Sequence, residues 1–141
     1  MGEARDVLDR LTEAVMSGDG DALAHVYADD VTLVTPDQGE VTGTRAAVEY
    51  MSQFTAAFPD ASWEPIAQHE VGNVAIDEGY FNGTHTGPLP LPDGGTLDPT
   101  NRRVRLRECD IAEVENGRVT SHRFYFDQLE FLEQLGLTPE S

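Results

Sequence analysis

The chain has 141 residues, 39% of them hydrophobic and 25% charged, the balance of one globular domain with room for a core and a small cavity beside it. Its formal charge of −17 lacks the cationic footprint that nucleic acid requires and disfavours anionic membrane surfaces. There is no lysine for Schiff-base or covalent pyridoxal phosphate chemistry, and the lone Cys109 forbids an internal disulfide or a multi-cysteine zinc site.

The chain begins "MGEARDVLDRL", without the apolar segment of a signal peptide, and no apolar run approaches membrane-spanning length. A cytoplasmic location is expected. Residues 4–16 place Val7, Leu8, Leu11 and Val15 on one helical face. "SGDGD" interrupts that helix, and Asp19 or Asp21 can cap a short second one that carries Leu23, Val26 and Tyr27 inward. "DDVTLVTPDQGEVTG" (29–43) reads as a hairpin. Thr44 is the expected cap of a third helix, with Ala47, Tyr50, Met51, Phe54 and Phe58 at helical spacing and Pro59 as its stop.

The period then changes. Residues 61–71, 74–87, 102–115 and 118–127 read as strands, and the glycine-rich 74–87 predicts a bent or bulged one. "PLPLPDGGTLDPTN" (88–101) is a Pro/Gly loop. Asn116-Gly117 between alternating segments is a type I′ hairpin signal. A last helix spans about 128–135 and stops at Gly136. Helices followed by an antiparallel or mixed sheet define an α+β fold, and a strongly curved sheet closed over helices makes a cone suited to an apolar guest.

Counting outward from the Asn-Gly turn pairs Val114 with Val119, Ala112 with Ser121, Asp110 with Arg123, Glu108 with Tyr125 and Leu106 with Asp127. Glu108, Asp110, Arg123, Tyr125 and Asp127 then share one face, while Cys109, His122, Phe124 and Phe126 share the other. The first face is either the wet side of the sheet or the lining of a pocket; pattern alone leaves both open. Asp110 opposite Arg123 reads as a structural ion pair. Asp127, with Glu130 three residues on, fits a capping box for the last helix as well as it fits a carboxylate for catalysis. The histidines His25, His69, His85 and His122 show no paired ligand spacing, so no metal is expected.

"NGTHTGPL" with its Pro/Gly loop, "ENGRV", and "YFDQLEFLEQLGL" resemble the SnoaL-like polyketide cyclases of the nuclear transport factor 2-like, ketosteroid-isomerase-like superfamily. The resemblance spans nearly the whole chain. It implies a single domain over 1–141, an α+β cone, a homodimer through the β-sheets, no cofactor, and intramolecular aldol cyclisation of a small hydrophobic, polyketide-like substrate. It also implies that Asp127 is the general acid/base and that His85 of "GTHTG" assists it. Tyr125 and Arg123 are then candidate substrate contacts, and Tyr27, Tyr50, Phe54 and Trp63, with Met51, candidates for the apolar wall. The superfamily also holds isomerases, dehydratases, epoxide hydrolases and binding proteins, so a noncatalytic carrier of a hydrophobic metabolite and a protein-interaction module stay open.

Overall fold

The computed structural model describes residues 2–91 and 93–137. Two helices, α1 (Glu3–Ser17) and α2 (Gly20–Val26), lead into β1 (Tyr27–Thr35) and β2 (Gly39–Thr42), and α3 (Thr44–Ala57) follows. Next come β3 (Ser62–Val71), β4 (Val74–Thr84), a two-stranded ladder of β5 (Leu89–Pro90) and β6 (Thr96–Leu97), β7 (Arg103–Glu115), β8 (Arg118–Phe126) and α4 (Gln128–Gln134). The main sheet runs β2-β1-β8-β7-β4-β3 and is mixed, because β1 and β8 are parallel while the other neighbours are antiparallel. The fold is the expected α+β cone, with helices on one face of a curved sheet.

The helix ends show why the chain folds in this order. Glu70 on β3 reaches the start of α1 and accepts hydrogen bonds from the Gly2 and Arg5 amides at 3.1 and 3.0 Å. A carboxylate there complements the unpaired amides and the positive end of the helix dipole. The Asp19 side chain caps α2 through the Ala22 amide, and Gly18 closes α1 in the left-handed region at φ 70°. Thr44 is not the cap of α3: Gly43 holds that position, and the Thr44 hydroxyl donates instead to the Ala28 carbonyl at 2.8 Å. Asn116 and Gly117 both have positive φ, as the hairpin requires.

Two of the sheet's irregularities bear on the expected strand pairings. The glycine-rich β4 pairs with β7 without interruption from Val74 to Thr84, and the bulge falls on its other neighbour, β3, at Ile66. The second lies in β8. Val114 pairs with Val119 as counted, but Glu113 then pairs with Ser121, so Thr120 is an extra residue. One inserted residue reverses which face each later side chain occupies. The pairings Asp110–Arg123 and Glu108–Tyr125 are therefore corrected to Asp110–Phe124 and Glu108–Phe126.

That slip puts His122, Phe124 and Phe126 on the same inner face as Leu106, Glu108, Asp110 and Ala112, all buried. Phe54 of α3 sits at the centre of this wall, with ring centroids 6.0 Å from both Phe81 and Phe124 and 6.4 Å from Phe126. Each such ring, fully buried, contributes about 1.5–3 kcal/mol through burial, and edge-on contacts add to it. The inner face also carries a buried ion pair. Arg5 of α1 donates from Nη2 to Asp77 Oδ2 of β4 at 2.8 Å, and Nη1 lies 2.7 Å from Oδ1 without hydrogen-bond alignment.

Candidate active site

Between α1, α3 and the sheet lies a narrow cavity of about 30 Å³ that opens to solvent. Leu11 and Val15 of α1 and Met51 and Phe54 of α3 form one side. The sheet supplies Trp63, Phe81 and Phe124 together with two carboxyl groups, Glu108 and Asp110. These two are i and i+2 on β7, so strand alternation points both the same way, and the apolar positions Leu106, Ala112 and Val114 fix that way as inward.

Asp110 is not alone. His122 Nε2 lies 2.6 Å from its Oδ1, and His122 Nδ1 lies 2.8 Å from the Tyr27 hydroxyl. The three are buried on adjacent strands β7, β8 and β1. A carboxylate can only accept, so the network assigns the proton of a neutral imidazole to Nε2, and Tyr27 then donates to Nδ1. Burial, and after it the charge of Asp110, raises Tyr27 well above the usual phenol range, so the hydroxyl keeps the proton it donates. The arrangement is a chain of hydrogen bonds running Tyr27 to His122 to Asp110, with the last carboxylate on the cavity wall.

Glu108 is held differently. Among the described residues its carboxyl has no hydrogen-bond partner, and burial, then repulsion from Asp110, pushes it well above the usual carboxylate range. Two carboxyl groups side by side in unlike surroundings are the means by which one site offers both a proton acceptor and a proton donor.

The structure brings together some of the residues singled out from the sequence and separates others. Phe54 and Trp63 line the cavity. Tyr27 joins it through His122, and Tyr50 instead donates to Asp37 Oδ1 at 2.7 Å, tying α3 to the β1–β2 turn. Asp127 is exposed at the end of β8 and caps α4, accepting from the Glu130 amide at 3.1 Å. Tyr125 is 45% exposed on the outer face of the sheet. Arg123 pairs with Glu113 at 2.6 Å, not with Asp110. His85 is fully buried, where its Nδ1 accepts from the Thr100 amide at 3.1 Å and its ring packs against Phe58, which in turn touches Phe81. Burial lowers its proton affinity. Sequence reasoning missed His122 as a site residue because it counted through the bulge. The alternation of Glu108 and Asp110 with Leu106, Ala112 and Val114 was the available signal for the two carboxyls.

A curved sheet over helices, with an apolar cavity and the Tyr27–His122–Asp110 chain on its wall, is the cone-shaped α+β architecture. The chain belongs to the SnoaL-like polyketide cyclase family, whose profile matches residues 5–135. Among solved structures it is similar to a candidate SnoaL-like polyketide cyclase from Jannaschia sp. CCS1, at 16% identity over 97% of this chain and 94% of that one, TM-score 0.83. It is similar also to IdmH, a candidate polyketide cyclase from Streptomyces antibioticus, at 24% identity over 96% and 100% of the two chains, TM-score 0.75. An epoxide hydrolase of the LEH-like kind from M. tuberculosis shares the fold at 18% identity over 94% and 89%, TM-score 0.71. No curated protein matches the sequence significantly. No helix among the described residues is long and apolar enough to cross a membrane.

Proposed function

We propose that the protein is a cofactor-free enzyme of the polyketide cyclase type, closing a ring by intramolecular aldol addition with Asp110 as the general acid/base. The observation that supports this most is the Tyr27–His122–Asp110 chain ending on the wall of an apolar cavity. In this reading the Asp110 carboxylate removes a proton from the carbon beside a substrate carbonyl. The resulting enolate oxygen is stabilised by the O–H of neutral Glu108, and its carbon attacks a second carbonyl of the same molecule. The alkoxide so formed takes back the proton held by Asp110, which leaves the enzyme unchanged. His122 holds Asp110 in one orientation, and Tyr27 fixes the imidazole tautomer. The aspartate role implied by the resemblance is thus assigned to Asp110 rather than Asp127, because basicity is useful only where a substrate carbon can be reached. A homodimer through the outer sheet face, which exposes Ile66 and Tyr125, belongs to the same reading.

The test is ring closure on a panel of linear and anthraquinone-type β-ketoesters, followed by chromatography and mass spectrometry, for the parent, Asp110→Asn and Asp127→Asn. Equal activity in parent and Asp110→Asn would remove the assignment.

Glu108 gives an independent check through pH. Its carboxyl binds a proton more tightly folded than unfolded, so its contribution is fully present below the unfolded pKa, near 4.5. Stability is then lost as pH rises toward the elevated folded value. Glu108→Gln should abolish this part of the slope. Melting temperatures between pH 5 and 8 are expected to fall less for the variant than for the parent; parallel curves would show that Glu108 is not held protonated.

A further inference from the structure

Trp63 carries a polar atom that no described residue uses. The side chain lines the cavity from β3, and its ring edge rests over Gly79 of β4. A Cβ at residue 79 would meet Trp63 Cζ2 at 2.7 Å and would also strike the Glu64 carbonyl, so the glycine gives the indole its seat. Trp63 Nε1 is buried and has no hydrogen-bond partner among the described residues. Native structures seldom leave such a group empty, and satisfy it with protein, water or ligand. An indole N–H only donates, so its missing partner is an acceptor. Glu108 lies in the same wall, also without a hydrogen-bond partner among the described residues, and burial favours its O–H form. No arginine or histidine is among the described residues that line the cavity, while Asp110 is there to repel an anion.

We propose that Trp63 determines specificity by donating its Nε1–H to the carbonyl oxygen of an uncharged, ring-bearing ketone, and that the cavity rejects the corresponding carboxylate. This rests on the reading of the cavity as the substrate site and narrows its substrate class.

Trp63 is the chain's one tryptophan, so its fluorescence and its single indole N–H resonance report on this position alone. Three probes of similar size separate the contributions: 1-tetralone, the hydrocarbon tetralin, and 1-naphthoate. The parent is expected to bind tetralone about tenfold or more tighter than naphthoate, with a fluorescence change, and the indole proton should move downfield with tetralone but not with tetralin. Trp63→Phe, followed by calorimetry, should lose about fivefold to tenfold in affinity for tetralone, the net worth of one neutral hydrogen bond, and stay within about twofold for tetralin. Equal losses for both would reduce Trp63 to an apolar wall and overturn the proposal, as would naphthoate binding as tightly as the ketone, or no binding of tetralone by the parent. The resonance shift decides the matter even if the variant folds poorly. Ketone selectivity with intact turnover in Asp110→Asn would leave this inference standing and remove only the acid–base assignment.

Discussion

Asp110→Asn is expected to lower turnover by about 10²–10⁴-fold, the usual contribution of a positioned acid–base group, with a much smaller change in KM. The asparagine carbonyl can still accept the His122 Nε2–H, so the hydrogen-bond chain that now spans 2.6 and 2.8 Å keeps its geometry. What disappears is proton affinity on the cavity wall. Steady-state kinetics on any substrate identified in the ester panel provides the measurement, with circular dichroism as the control for folding. Asp127→Asn is the companion: asparagine caps a helix about as well as aspartate, so α4 is retained. With the chemistry at Asp110, turnover of this variant stays within a few-fold of the parent. The reverse pattern, in which Asp127→Asn is inactive and Asp110→Asn active, would return the role to the exposed carboxylate at the end of β8.

The largest loss of stability should come from a residue remote from this chemistry. Arg5 and Asp77 are buried together, their side chains 8% and 2% exposed, and Asp9 holds the same guanidinium from the solvent side at 2.7 Å. Arg5→Met leaves the Asp77 carboxylate in the interior without a counter-charge, and such half-broken pairs cost about 3–5 kcal/mol. Equilibrium unfolding in urea at 25 °C should show that loss. Arg5→Met combined with Asp77→Val removes both charges and is expected to recover most of it, because a buried pair is worth little over a well-packed apolar substitute. If single and double variants lose the same amount, the pair is not coupled as its geometry implies. The consequence reaches the cavity, since α1 carries Leu11 and Val15 to its wall and Arg5 is the tie between that helix and β4.

Local signals in the sequence were sufficient for most element positions. Helical spacing located α1 and α3, and Asn116-Gly117 located the β7–β8 turn, because those features depend on a few consecutive residues. Alternation correctly grouped Glu108 and Asp110 on one face of β7. It failed for β8, where Thr120 is spare, because nothing in "RVTSHRFYF" marks an inserted residue; the bulge is set by how Val119 and His122 both find the interior. Arg5 and Asp77 are 72 positions apart in the chain, and no local pattern joins them. Asp127 was ambiguous for a different reason. Its capping geometry was legible from Glu130, but whether a cap lies in water or beside a cavity depends on distant segments.

The spare residue in β8 makes the interior of this wall sensitive to length in a way that composition is not. A substitution along the strand changes one side chain. An insertion or deletion between Val119 and His122 exchanges a whole set, turning Arg123 and Tyr125 inward and the imidazole and phenyl rings out to solvent. Two chains with almost the same lettering over this strand can therefore enclose opposite chemistry.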